Sequence, residues 1–308
     1  MVELAHKCPD GFLDEEVRCD FTVTKELKAL WAVQIDLIQE LTRVCEKYDI
    51  PFYADSGTLL GAARHQGFIP WDDDIDVIMM RKDYDELCKH ASEFHEPYFF
   101  QTEETDPLSY RGHAQLRNSK TTGILPSEYG CDLPFNQGIF IDIFVLDYIP
   151  DDERECTRFL SRINRLSRRI RILRFVSLNY KSRNGFVRLA ASVLHIITLP
   201  FGKKWLKSMY DKREKLMRSC PESKRVMKLF FCPTTITPPM ECRWYTQSTY
   251  LPFEYIQLRA PEGYDNVLKT FFGDWHVMRK ASSFHGSTIF DTDLGYKEFL
   301  DKKLKEGV

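Results

Sequence analysis

Four aspartates in five residues, Asp72, Asp73, Asp74 and Asp76, run directly into the apolar stretch Val77-Ile78-Met79-Met80. Side chains on a strand alternate faces, so a strand here points Asp74 and Asp76 one way and Ile75 and Val77 into a core. Two carboxylates about 7 Å apart by strand rise can converge on one hard cation. Like charges this close resist joint ionisation unless a cation neutralises them. The chemistry indicated is a Mg2+ or Mn2+ site, with Asp72 beside the pair. Upstream, Ser56-Gly57-Thr58 reads as a small turn. Gly57 lets the backbone approach a ligand closely, and successive N–H groups in such a turn make an anion nest. A phosphate-holding turn beside a metal-holding carboxylate pair is the minimum kit for phosphoryl or nucleotidyl transfer. An acidic cluster can also be a solvated turn. The glycine turn and Pro70-Trp71 in front of this one weigh for metal.

A further carboxylate lies in Ile139-Phe140-Ile141-Asp142-Ile143-Phe144-Val145, a run that is apolar except for Asp142. A charge inside a buried strand is costly without a partner. A shared cation makes Asp142 the third carboxylate of the site; an arginine partner is the alternative. Asp147 is expected in a turn before Tyr148.

The elements that must position these residues follow from periodicity and caps. Thr24 is a plausible N-cap for a long amphipathic helix through Leu27, Leu30, Trp31, Ile35, Leu37, Ile38, Leu41 and Val44, with Gln34 as a polar break. Phe52-Tyr53-Ala54 is a short strand delivering Ser56 and Gly57. Thr58 to Arg64 is a helix whose N-terminus favours a phosphate. Arg64 either forks onto a diphosphate or caps that helix. Trp71 either stacks a base or an organic cation or walls out water. Arg81 to His90 reads as an exposed polar helix. Ala114 to Arg117 reads as a strand, with Arg117 leaving toward a turn where it would balance donor phosphates. The alternative for Arg117 is an ordinary charged surface.

The stretch GTLLGAARHQGFIPWDDDIDV closely resembles the signature of LicD-type proteins, the phosphocholine transferases of bacterial surface polysaccharides. Fukutin and fukutin-related protein are similar at greater distance. Gly57, Gly61, Arg64, Gly67, Pro70, Trp71 and the aspartate run carry the resemblance. It continues more weakly through about residues 25–150 and 240–290. It implies an α/β (α+β) nucleotidyltransferase-like mixed sheet flanked by helices; the middle of the chain shows no clear match, and its basic helical insertion is read from charge pattern. It also implies transfer of a phospho-alcohol, CDP-choline being the first choice of donor, to a glycan hydroxyl with release of CMP. On that reading Asp72, Asp74, Asp76 and Asp142 hold Mg2+ or Mn2+, and Asp142 is a third ligand or the general base. Ser56, Gly57, Thr58, Arg64, Trp71 and Arg117 hold the donor. Two rivals stand beside it: a nucleotidyltransferase using an NTP, and a non-catalytic membrane-associated glycan-binding module.

Composition bounds the rest. The 308 residues suit one large domain or two modest ones. The expected division is a catalytic core over 1–150, a basic segment over 151–220 and a C-terminal part over 221–308 that completes the core. A net charge of −2 does not suggest nucleic acid. It conceals a swing: residues 151–219 hold eighteen Lys or Arg against six Asp or Glu. Arginines from Arg158 to Arg174 are interleaved with apolar residues, a basic amphipathic helix that suits an anionic membrane surface or, alternatively, lies solvated on an acidic core. The acidic N-terminus lacks the apolar core of a secretory signal. The apolar run Leu189 to Phe201 is too short to cross a bilayer. Nine cysteines without C-x-x-C pairs read as reduced thiols, and Cys232 and Cys242 lack a histidine partner for zinc. The expected place of work is the cytoplasm, peripheral to the inner face of the membrane. Asp265, Asp274 and His285 could reach substrate.

Overall fold

The apolar run through Asp142 forms the longest strand of a computed structural model, Ile139–Ile149, and the sheet is arranged around it. The structure describes residues 1–129, 133–177, 193, 201–229, 237–279 and 288–306. Cys232, His285 and most of the apolar run at 189–201 lie outside these. In chain order the strands are β1 (Glu16–Arg18), β2 (Phe21–Val23), β3 (Tyr53–Ala54), β4 (Asp76–Met80), β5 (Tyr98–Gln101), β6 (Ala114–Asn118), β7 (Thr122–Ile124), β8 (Ile139–Ile149), β9 (Arg225–Lys228), β10 (Met240–Glu241), β11 (Ser248–Phe253), β12 (Ile256–Pro261) and β13 (Ile289–Asp291). The α-helices are α1 (Lys25–Lys47), α2 (Ser56–His65), α3 (Arg81–Lys89), α4 (Glu153–Ser177), α5 (Gly202–Met217), α6 (Tyr264–Phe272) and α7 (Tyr296–Glu306).

Seven strands make the central mixed sheet. β4 runs parallel to β8 along one edge. β6 and β9 run antiparallel to it and share the other edge, β6 along its first half and β9 along its second. β3, β5 and β10 extend the sheet beyond β4, β6 and β9. The fold is α+β, as the sequence led us to expect.

Register does the positioning. Asp76 on β4 and Gln115 on β6 both lie opposite Asp142, and Lys228 on β9 lies opposite Leu146. Residues two apart on a strand share a face, so Asp76, Asp142, Gln115 and Lys228 fall on one side of the sheet. The alternating Ile75, Val77, Ile141 and Ile143 are fully buried in the main core. That core also takes the apolar stripe of α1, which packs on β6 and β8. The Thr24 hydroxyl caps α1 by accepting from Leu27 N.

Asp147 departs from expectation. It sits inside β8, not in a turn, because Tyr148 and Ile149 continue the pairing with β9. It is 1% exposed, and both its oxygens accept from Arg81 at 2.7 and 2.8 Å. Arg81 thus ties the start of α3 to the sheet, and that helix buries Tyr84 and Leu87 rather than standing free. α4 and α5 pack together and cover Ile149 and Met227 through Phe159, Ile163 and Met217. Among the described residues no helix is long and apolar enough to cross a membrane.

Breaking a buried ion pair from one side leaves an uncompensated charge. Asp147→Ala is expected to destabilise the fold by about 3 to 5 kcal/mol. The midpoint of urea denaturation reads this; an unchanged midpoint would mean that the pair adds nothing.

Candidate functional site

β4 begins at Asp76, so residues 72–75 are not strand and do not obey strand alternation. The acidic stretch is instead a loop, and Asp73 joins Asp72 and Asp74. One carboxylate oxygen from each of the three lies within 4.8 Å of the others. The loop is held by its backbone. Trp31 Nε1 donates to the Asp72 carbonyl at 2.9 Å, and Gln34 Nε2 donates to the Asp73 carbonyl at 2.8 Å. Gln34, a polar break in an apolar helix stripe, thereby has a reason to be there.

Beside the loop, the start of α2 is built around a buried ion pair. Asp55, fully buried, accepts from Lys228 Nζ, which also donates to Ser56 Oγ at 2.8 Å. Ser56 Oγ donates to Asp55 Oδ2 at 3.0 Å. Gly57 has no room for a side chain: a Cβ there would stand 2.6 Å from Asp72 Oδ2. The Thr58 hydroxyl accepts from Asp76 N at 2.8 Å, so it stitches α2 to β4. Ser56-Gly57-Thr58, expected as a turn, is the first turn of α2, whose leading backbone N–H groups have no intrahelical partner.

Asp142 lies opposite Asp76 on the neighbouring strand, and both fall outside the close group formed by Asp72, Asp73 and Asp74. Asp142 Oδ1 lies 3.0 Å from His113 Nε2 and accepts from Gln115 Nε2 at 2.6 Å. Gln115 is fixed in turn by Arg117, which donates to its Oε1. Arg117 was expected to leave the strand toward donor phosphates. It is instead fully buried on the site face of β6, donating also to Gln101 and the Gly138 carbonyl and lying 4.7 Å from the Phe140 ring centroid. It acts two residues behind Asp142, through Gln115. Arg64 lies in the last turn of α2, at the opposite end from the aspartates, and donates to the Trp275 carbonyl at 3.1 Å and to His65. Trp71 is half-buried against Phe21, immediately before Asp72.

The donor set fits a hard divalent cation. All the groups are carboxylates, and Asp76 Oδ1 and Asp55 Oδ1 are buried without a hydrogen-bond partner. Burial, with Asp74 and Asp73 alongside, pushes the Asp72 carboxyl up to about 8. Burial, then Asp74 and Asp142, pushes Asp76 well above the usual carboxylate range, and Lys228 only partly offsets this. Lys228, His113 and Asp55 were not assigned roles from sequence. Lys228 carries the signal that singled out Asp142, one charge in an otherwise apolar sequence run, VMKLFF.

An α+β chain with a carboxylate row fed by a sheet, a loop and a helix start defines the class; comparison with known proteins refines it. Residues 49–126, which contain β3, α2, the acidic loop and β4, match the family described as LicD/FKTN/FKRP, nucleotidyltransferase domain. The resemblance to LicD-type proteins is borne out over that stretch. Over 249 residues the chain is 28% identical to the lipopolysaccharide cholinephosphotransferase LicD of Haemophilus influenzae, covering 79% of this chain and 88% of that one. An uncharacterized protein of Rickettsia prowazekii is 41% identical over 70 residues, 23% of this chain and 25% of that one. Another from Rickettsia typhi is 47% identical over 58 residues, 19% of this chain and 18% of that one.

The raised carboxyls fix the sign of a pH dependence. In the absence of metal, folded Asp72 keeps its proton between roughly pH 4 and 8, where the unfolded carboxyl has lost it. The folded state then binds more protons, so its stability falls as pH rises through that window. In chelator the denaturation midpoint is expected to drop from roughly pH 5 to pH 8. Added Mg2+ should raise it most at the upper end, where fewest protons are displaced. A flat profile in chelator would mean that these carboxylates ionise freely.

Proposed function

We propose that this chain is a metal-dependent transferase that moves phosphocholine from CDP-choline to a hydroxyl of a cell-surface glycan. The observation that carries the reading is the similarity to a lipopolysaccharide cholinephosphotransferase along most of both chains. The stretch that matches the family also builds the acidic loop and the start of β4. On this reading Asp72, Asp74, Asp76 and Asp142 would hold Mg2+ or Mn2+, with Asp73 beside them. The cation would supply charge neutralisation at the diphosphate and at the leaving phosphate.

The chain's own groups account for the remaining tasks. The N–H groups at the start of α2 face an anion with the helix dipole behind them. Lys228 holds Asp55 and Ser56 in place beneath that helix start. The acceptor hydroxyl attacks the β-phosphorus in line; the new O–P bond forms as the bond to the bridging oxygen breaks, and CMP leaves. The hydroxyl proton passes to Asp142, whose carboxylate is oriented by His113 and Gln115. Trp71, half-buried just before the acidic loop, would stack a base or a choline headgroup. The acceptor is a lipopolysaccharide-like glycan, lipid-linked or free, and the work is done in the cytoplasm at the inner face of a membrane.

The first test is CMP release from CDP-choline with Mg2+, with and without a surface-glycan fraction. Glycan-dependent release is expected. Asp74→Asn and Asp76→Asn should each lower it by about 100-fold or more with circular dichroism unchanged, the size of loss seen when charge stabilisation at a reacting centre is removed. Release from CDP-ribitol or CDP-glycerol alone would keep the chemistry and change the donor. Labelled NTPs run alongside would expose a nucleotidyltransferase, the reading that the family description favours second. Metal-dependent glycan binding without CMP release from any donor would leave a binding module.

A further inference from the structure

The two helices of the basic segment are charged unevenly along their length. α4 opens with Glu153 and Glu155, but its second half exposes Arg165, Arg168, Arg169 and Arg171 and has no acidic residue. α5 has the reverse polarity: Lys203, Lys204 and Lys207 come first, and Asp211 and Glu214 only later. Ile170 of α4 and Leu206 of α5 share one buried cluster with Tyr110. That contact sets the basic end of one helix beside the basic end of the other. At the same end three large apolar side chains stand in solvent: Ile172 at 63%, Phe201 at 45% and Trp205 at 51% exposure. The Phe201 and Trp205 rings meet edge-on at 5.8 Å.

A purely solvated helix pair gains nothing from exposing these three groups among bases. We propose that this end of the α4–α5 pair docks on an anionic lipid bilayer. The tryptophan and its apolar neighbours enter the boundary between headgroups and acyl chains, and the lysines and arginines reach the headgroup phosphates. Long basic side chains can lie along the apolar surface while their charged ends stay in the headgroup layer. The charge pattern and the apolar groups together select a bilayer over a soluble polyanion, which would be met by bases alone.

The docking end is joined to the acidic site. Tyr110, in the cluster beneath it, is three residues before His113, which contacts Asp142. Docking therefore suits an acceptor glycan carried on a lipid; that clause rests on the transferase reading, and the docking itself does not.

The test is co-sedimentation of the full chain with vesicles of phosphatidylcholine alone and of phosphatidylcholine mixed with phosphatidylglycerol. Pelleting is expected with the anionic vesicles only. The charge reversals Arg171→Glu, Lys203→Glu and Lys204→Glu together should weaken it by about tenfold or more. Ile172→Ser with Trp205→Ser should weaken it independently. All five positions are exposed, and circular dichroism checks that each variant folds. Quenching of Trp205 fluorescence by brominated lipid, absent in Trp205→Phe, gives a second readout on the unaltered fold. No pelleting with anionic vesicles, equal pelleting with neutral ones, or pelleting indifferent to both variant sets overturns the proposal. Retention on heparin without vesicle pelleting also overturns it, in favour of a soluble polyanion. Vesicle binding is read without turnover, so its failure and failure of CMP release are separate results.

Discussion

Carboxylates held together against their own repulsion are the constraint on which the site and its scaffold depend. Two unit charges 4.8 Å apart repel by roughly 3 kcal/mol at an effective dielectric of about 20. That is as much as one charge-assisted hydrogen bond returns. Hydrogen bonds within the acidic loop, between Asp72 and Asp74 and from the Asp73 backbone, are supplemented from outside it. Trp31 and Gln34 reach it from α1 and bind carbonyl oxygens, which fixes the backbone without consuming carboxylate lone pairs. Lys228 pairs with Asp55, and His113 and Gln115 contact Asp142. Each brace comes from a different part of the chain, so the fold must be complete before the acidic groups are arranged.

Register then decides which groups meet. The parallel pairing of Asp76 with Asp142, and the antiparallel pairing of Gln115 with Asp142, put three polar residues side by side across three strands. A slip of one residue in β4 would bury Asp76 and expose Val77 to the site. The penalty is large because Ile75 and Val77 are fully buried in the main core. The apolar alternation that stabilises the sheet is thus also what aims the carboxylates. Stability and positioning share one pattern, and neither can drift without the other.

Elements whose signals are local were legible from the chain. The Thr24 cap, the α1 stripe and the isolated Asp142 each follow from a few neighbouring residues, whereas Ser56-Gly57-Thr58, which reads as a turn, is the first turn of α2. The misplacements share a physical cause, which is that the partner is distant in sequence. Asp147 reads as a turn residue until Arg81, 66 residues away, is seen to pair with it inside β8. Arg117 reads as an exposed base until Gln101, Gln115 and the Gly138 carbonyl are seen to surround it. Lys228 is 173 residues from Asp55 and follows the basic segment, where one more lysine attracts no notice. Strand alternation begins only at Asp76, two residues after Asp74, so Asp73 belongs to the same cluster as Asp72 and Asp74.

The near-neutral net charge conceals two opposed surfaces, and their separation has a physical rationale. An acidic site repels an anionic donor until a cation intervenes, so such a site gains from having few bases of its own to compete for its carboxylates. Lys228 meets that condition because it is locked onto Asp55 and Ser56 within the protein. The excess of bases is placed instead on α4 and α5, which pack against the β8–β9 end of the sheet and are joined to the site through the segment from Tyr110 to His113. Held apart in this way, the bases cannot neutralise the aspartates and the aspartates cannot quench the basic face.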